Sequence, residues 1–140
     1  MPVIKARKVS DPTDLKKVFA IRYEVFVGEQ HCPPELELEF NDVSTHFLAT
    51  VGAEPAGACR WRKTDNGYKL ERFAVLPKFR GIGVGQVLVK AVLDDLPVDA
   101  ANVYLNSQIQ AVSLYEKFGF GKTGPEFEEA GMKHYKMVRK

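Results

Sequence analysis

Arg80-Gly81-Ile82-Gly83-Val84-Gly85 lies between a β-like run, Tyr68 to Leu76, and a stretch in which Val84, Val87, Leu88, Ala91 and Val92 recur at helical spacing. A glycine-rich turn that leaves a strand and opens a helix lets the backbone come close to a ligand. The first free N–H groups of the helix and its dipole attract an anion there, and Arg80 adds a charge able to pair with phosphate. The hexapeptide has Gln86 where a dinucleotide fingerprint needs its third glycine, and it lacks the Gly-Lys-Ser/Thr of a P-loop. A phosphate or pyrophosphate site is expected, with a purely structural turn as the alternative.

Before this turn, Asn66-Gly67 is a strong hairpin signal, and Gly52-Ala53-Glu54 separates two more β-like runs, Thr45 to Val51 and Pro55 to Arg62. A three-stranded antiparallel meander is predicted. After it, Val103 to Leu105 is a short apolar run followed by polar Asn106-Ser107-Gln108. Ala111, Leu114, Tyr115 and Phe118 then mark a helix ended by Gly119. The order strand, helix, strand, helix implies a parallel crossover, and the tail from Phe120 onward is β-like. At the other end, Val3 to Val9 begins with alternation and Asp11-Pro12-Thr13 caps a helix predicted over residues 12–26. Its stripe of Leu15, Val18, Phe19, Arg22 and Phe26 turns Arg22 inward, where an arginine requires a partner. A buried carboxylate such as Glu29 or an acidic substrate group would supply one. Gly28 to Asp42, with Pro33-Pro34 and Glu35, Glu37, Glu39 and Asp42, reads as a long irregular segment of the kind that often carries function.

The chain has 140 residues, 45% hydrophobic and 27% charged, with a formal net charge of +2, which suits one domain over residues 1–140 and excludes a disordered acidic or basic chain. No apolar run reaches the roughly 18–20 residues of a membrane span and Met1-Pro2-Val3-Ile4-Lys5 lacks the apolar stretch of a secretory signal, so a soluble cytoplasmic protein without membrane contact is expected. With 20 Lys and Arg against 18 Asp and Glu, there is no broad basic field for nucleic acid. Cys32 and Cys59 are read as free thiols, because two cysteines make no disulfide framework and lack zinc-site spacing. His31, His46 and His134 are widely spread, so no metal is expected. On the middle strand Arg60 and Arg62 share one face and Trp61 takes the other, and the arginine face is a candidate wall for an anion pocket.

Arg80 to Gly85 also matches Arg/Gln-x-x-Gly-x-Gly/Ala, and the chain resembles the GNAT superfamily of N-acetyltransferases from its first helix to its last strand. Leu70-Glu71-Arg72-Phe73-Ala74-Val75-Leu76 is similar to that family's fourth strand. Leu114-Tyr115-Glu116-Lys117-Phe118-Gly119-Phe120 is similar to its tyrosine-bearing helix, and Glu24 to Gln30 to a small, largely uncharacterised bacterial subgroup. The resemblance implies an α/β GNAT (acyl-CoA N-acyltransferase) fold, with a mixed, mostly antiparallel sheet of six or seven strands and about four helices. It also implies that the fourth and fifth strands splay to admit the pantetheine arm of acetyl-CoA.

The resemblance further implies that Phe73, Ala74 and Val75 contact the arm, that the Val75 amide polarises the thioester carbonyl, and that Arg80, Gly81, Ile82, Gly83, Val84 and Gly85 cradle the pyrophosphate. Asn106 matches a position that contacts the arm. Tyr115 matches the acid that protonates the departing thiolate, although its place on an apolar stripe also suits a core aromatic. Glu71 is the first choice for the base, with a water relay as the alternative. Arg22, Glu29, Arg60 and His134 are the candidate contacts for the acceptor, a primary amine on a small metabolite (an amino sugar phosphate, amino acid or polyamine) or on a protein. The expected activity is direct acetyl transfer from acetyl-CoA; the alternative is a non-catalytic acyl-CoA-binding regulatory or sensor domain. Edge strands of this fold often pair, so a homodimer is compatible with it.

Overall fold

The computed structural model describes residues 3–140. Seven strands form one sheet in the order β1-β2-β3-β4-β5-β7-β6: β1 Ile4–Val9, β2 Thr45–Val51, β3 Glu54–Thr64, β4 Gly67–Val75, β5 Val103–Gln108, β6 Phe120–Glu129 and β7 Met132–Arg139. Every neighbouring pair is antiparallel except β4 and β5. The helices are α1 Pro12–Arg22, α2 Pro34–Glu37, α3 Val84–Asp95 and α4 Val112–Glu116.

Both faces of the sheet are covered, which explains why β2 is buried along almost its whole length. Phe47, Ala49 and Val51 join Val84, Leu88, Val89 and Val92 of α3 on one face, while Leu48 joins Val18, Ile21 and Val25 on the other. The alternation of a strand sends these neighbours to opposite layers. Gly57 is where α3 comes closest: a Cβ there would lie 2.9 Å from Ala74 O and 3.0 Å from Val84 Cγ1. On β3, Arg60 and Arg62 face the α1 side and Trp61 the α3 side, where its Nε1 donates to Asp95 Oδ2 at 2.9 Å.

The first helix starts as read, with Pro12 in its first turn and the Asp11 side chain accepting from Asp14 N at 2.7 Å. It does not end at residue 26. The chain continues as a π-helix over Tyr23–Glu29, whose wider turn carries Phe26, Glu29 and Gln30 round toward the end of β4. Gly28 to Asp42 is thus less irregular than its composition suggests, since it also holds α2 and a 3₁₀ turn over Asn41–Val43. β5 runs on through Asn106, Ser107 and Gln108, so Asn106 lies inside the strand and not at its end. The exposed edges are β1, with Lys5, Arg7 and Lys8, and β6, whose pairing is interrupted between Thr123 and Phe127 around Pro125. Charge and an interrupted ladder both hinder edge-to-edge pairing. Among the described residues no helix is long and apolar enough to cross a membrane.

Candidate active site

β4 and β5 pair only at Tyr68–Val103, Lys69–Tyr104 and Leu70–Leu105, and beyond Leu70 they part. At the point of parting β4 carries a bulge: its register against β3 passes from Ala58–Ala74 to Arg60–Glu71, and Arg72 sits at φ 60°. A non-glycine residue held in the left-handed region is strained and marks a backbone fixed by its surroundings. Past the bulge the strand's polarity follows from one bond, Leu76 N to Ala56 O at 2.9 Å. Successive residues aim their amides at alternate edges, so Leu76 and Ala74 face β3 while Phe73 and Val75 present N–H and C=O to the opening. Ala74 is also buried, which separates it from the two neighbours with which it was expected to act.

At the mouth of the opening, Arg80 Nε donates to Val75 O at 2.9 Å, tying the glycine turn to the end of β4. Gly81 and Gly83 have φ of 81° and 103°, and a Cβ on either would meet nothing within 4 Å. The space beside this backbone is open. The first helical bond of α3 is Val87 N to Gly83 O at 3.1 Å, so the N–H groups of Val84, Gly85 and Gln86 precede any i−4 partner. An open glycine shelf and unbonded helix amides fit the pyrophosphate of an acyl-CoA, whereas the Arg80 guanidinium is already engaged by Val75 O and the Glu29 carboxylate. Ile82 is exposed beside them, and the Val84 side chain points into the core and leaves only its amide to the site. Gly85 has a different reason to be glycine, since a Cβ there would lie 3.3 Å from Leu114 Cδ2 on α4.

The cleft behind this mouth, about 250 Å³, is lined by residues that include Phe73, Asn106, Tyr115, Glu71, Arg62 and His134. Tyr115 is 5% exposed and packs edge-on against Phe73 and Phe120, with centroids 5.5 and 6.2 Å away. Burial pushes its hydroxyl well above the ordinary tyrosine pKa. His134 is buried, with Nδ1 2.8 Å from Met132 O; that contact makes Nδ1 a donor and leaves Nε2 free to face the cleft.

The other expected site residues have different partners from those read off the sequence. Arg22 is fully buried, but its Nε donates to Glu37 Oε1 at 2.5 Å and its Nη2 to Glu37 O at 2.8 Å, so its partner is Glu37 and not Glu29. It is not among the cleft-lining residues. Glu29 instead accepts from Arg80 Nη1 and Nη2, both at 2.7 Å, and braces the glycine turn. Arg60 is fully buried too, donating to Glu71 and, at 2.7 Å, to Asn41 Oδ1. It stands behind the cleft wall and is not among the cleft-lining residues.

Glu71 lines the cleft, yet its environment is not that of a base. Burial raises its pKa, and the combined pull of Arg60, Lys69 and Arg62 outweighs burial and sets it at about 2. A carboxylate held so far below 4.5 takes a proton poorly at neutral pH. Since the folded value is depressed, its contribution to stability is complete above the unfolded value and is lost as pH falls from 4.5 toward about 2. Glu71→Gln should therefore be clearly less stable than the parent at pH 7, with the difference shrinking as acid is added. Urea unfolding at stepped pH checks this, and a difference independent of pH would refute the assignment.

A strand order opened between two parallel members, with a glycine turn leading into a helix at the mouth, is the architecture of the acyl-CoA N-acyltransferases. The chain belongs to the GNAT acetyltransferase family: the family model described as acetyltransferase (GNAT) domain matches residues 8–140. It is 40% identical over 140 residues to YjcF of Bacillus subtilis (strain 168), named an uncharacterized N-acetyltransferase, covering 97% of this chain and 99% of that protein. The fold is similar to the crystal structure of Escherichia coli ElaA, with TM-score 0.85, 28% identity and coverage of 99% and 100% of the two chains. It also matches the fold of an acyl-CoA N-acyltransferase from Pseudomonas aeruginosa, with TM-score 0.83, 23% identity and coverage of 100% of both.

Proposed function

We propose that this protein transfers the acetyl group of acetyl-CoA directly to a primary amine. The observation that carries the reading is the cleft between β4 and β5, with the outward-facing amides of Phe73 and Val75 along one wall and the Arg80 to Gly85 shelf at its mouth. Acetyl-CoA supplies the acyl group already activated as a thioester. Phe73 holds the arm through its backbone, and the Val75 N–H donates to the carbonyl oxygen, where negative charge develops as the amine attacks. As the N–C bond forms and the C–S bond breaks, one proton leaves nitrogen and one reaches sulfur. Tyr115 supplies the second and is reprotonated from water. Glu71, held ionised by its cations, shapes the field of the acceptor half, and the amine proton leaves through water and the Nε2 face of His134.

Thermal unfolding with acetyl-CoA, and with NADH and ATP as phosphate-bearing controls, tests the cofactor. A ligand at about 100 times its Kd adds roughly 2.7 kcal/mol, a shift of several degrees for a domain of this size. A shift specific to acetyl-CoA is expected. Equal shifts with ATP, or none at millimolar acetyl-CoA, would reduce Arg80 to Gly85 to a structural turn. Thiol release across a panel of amines then separates the transferase from a domain that binds acyl-CoA without turnover; the burial of Tyr115 in an aromatic cluster is the observation on the side of that second reading.

A further inference from the structure

The inner part of the acceptor half gathers four cations round the single carboxylate of Glu71, while the two other carboxylates of the cleft are exposed. Arg60, Arg62 and Lys69 all converge on the single carboxylate of Glu71: Arg60 donates to Oε2, Arg62 Nε lies 3.2 and 3.3 Å from its two oxygens, and Lys69 Nζ lies 3.4 Å from Oε1. Arg72 lines the same cleft, aimed there by the bulge. Its Nη2 is tied to Leu36 O at 2.8 Å, while its Nε is buried with no hydrogen-bond partner among the described residues. The remaining carboxylates of the cleft, Glu39 and Glu129, are exposed, and Glu129 lies 3.8 Å from His134 Nε2. Four cations beside one fixed anion, with the side chains of Arg62 and Lys69 only 15% and 18% exposed, leave partly desolvated charge that a bound anion would neutralise.

The cations are also pre-oriented. Glu71 holds Arg62 by Nε alone among the described residues, and the Phe40 ring covers the guanidinium face with its centroid 3.9 Å from Cζ. The two terminal nitrogens of Arg62 have no hydrogen-bond partner among the described residues and remain free for a carboxylate or phosphate. The acyl donor's phosphates are not the anion concerned. Glu71 lies about 10 Å back along β4 from Val75, the three residues from Gly57 to Arg60 on the paired strand at roughly 3.3 Å each, while the glycine shelf lies beyond Val75 in the other direction.

We propose that the acceptor is an amine that also bears an acidic group, a carboxylate or a phosphate, and that Arg62 and Lys69 bind this group with Arg72 behind them. The inference rests on the acetyl-transfer reading and narrows its substrate class. It excludes plain amines and polyamines as preferred acceptors.

The test uses matched amines that differ by the acidic group: cadaverine with lysine and tyramine with tyrosine for carboxylate, ethanolamine with O-phosphoethanolamine for phosphate. In at least one pair the acid-bearing member should show a kcat/KM about 10-fold or more higher, the size of a charge-assisted contact, and the pair that responds identifies the acid. Arg62→Gln and Lys69→Gln should each bring that ratio toward one by raising KM, with the thermal response to acetyl-CoA retained. Titration calorimetry of the same amines into the protein saturated with CoA reads binding without turnover. Acid-bearing members should bind and their plain partners should not. Plain amines acetylated or bound as well as their acidic partners, or ratios untouched in both variants, overturn the acidic acceptor and leave the transferase standing. Absence of any response to acetyl-CoA overturns both.

Discussion

Arg22→Met lowers the unfolding free energy by about 3–5 kcal/mol, the range for removing one partner of a buried ion pair. The effect comes from what is left behind. Glu37 is 2% exposed, and in the variant its carboxylate loses both the Nε contact and the nearby guanidinium charge while remaining out of water. The pair itself is no strong source of stability. Burial is the largest influence on Arg22, pulling its pKa down to about 10 against the opposing effect of Glu37, so desolvation exceeds what the partner returns. The double variant Arg22→Met/Glu37→Leu should therefore regain most of the loss, and urea unfolding of the parent, both single variants and the double variant measures it. A single-variant loss below about 1 kcal/mol would show that water reaches Glu37. The pair instead fixes geometry: it locks the end of α1 to α2, and the chain that follows α2 supplies Glu39 and Phe40 to the cleft. A double variant that is stable yet has a raised acceptor KM is the expected signature of that role.

Local signals were the ones that could be read in advance. The turn at Arg80 to Gly85 announces itself because glycine spacing, strand and helix are contiguous, and Asn66-Gly67 sets the β3–β4 hairpin by turn chemistry alone. Pairings between distant segments carry no such mark. Nothing in the sequence distinguishes Glu29 from Glu37 as the partner of Arg22; the π-helix decides it by rotating Glu29 away toward Arg80. The bulge at Arg72 was equally hidden, since it places a non-glycine residue at φ 60° without any turn residue beside it. Asn106-Ser107-Gln108 looked like the end of β5 because hydrophobic alternation stops there, yet Asn106 and Gln108 are polar for another reason: they line the opening between the strands. In sequence Lys69 is indistinguishable from an ordinary strand lysine, and only the β3–β4 register brings Arg60 opposite Glu71 and sets Lys69 beside Arg62.

Tyr115→Phe lowers kcat by about 100-fold or more, the contribution expected of a positioned general acid, while the KM for acetyl-CoA changes less than about twofold. The substitution removes one O–H and keeps the ring that packs on Phe73 and Phe120, so the thermal midpoint in the absence of ligand should move little. Burial keeps the Tyr115 hydroxyl protonated throughout the neutral range but also makes it a weak acid, so its donation to sulfur has to be concerted with C–S cleavage, and its pKa does not by itself assign the role. Phe73 joins the cleft to the tyrosine, because its backbone faces the opening between β4 and β5 while its ring packs on the tyrosine. A purely architectural tyrosine predicts the opposite pattern, with kcat unchanged in Tyr115→Phe and a stability loss appearing only when the ring itself is removed in Tyr115→Ala. Single-turnover thiol release in parent and variant, alongside their unfolding midpoints, decides between them. Equal turnover in the Phe variant would transfer the protonation of the leaving thiolate to water and leave Tyr115 as part of the α4–β6 core.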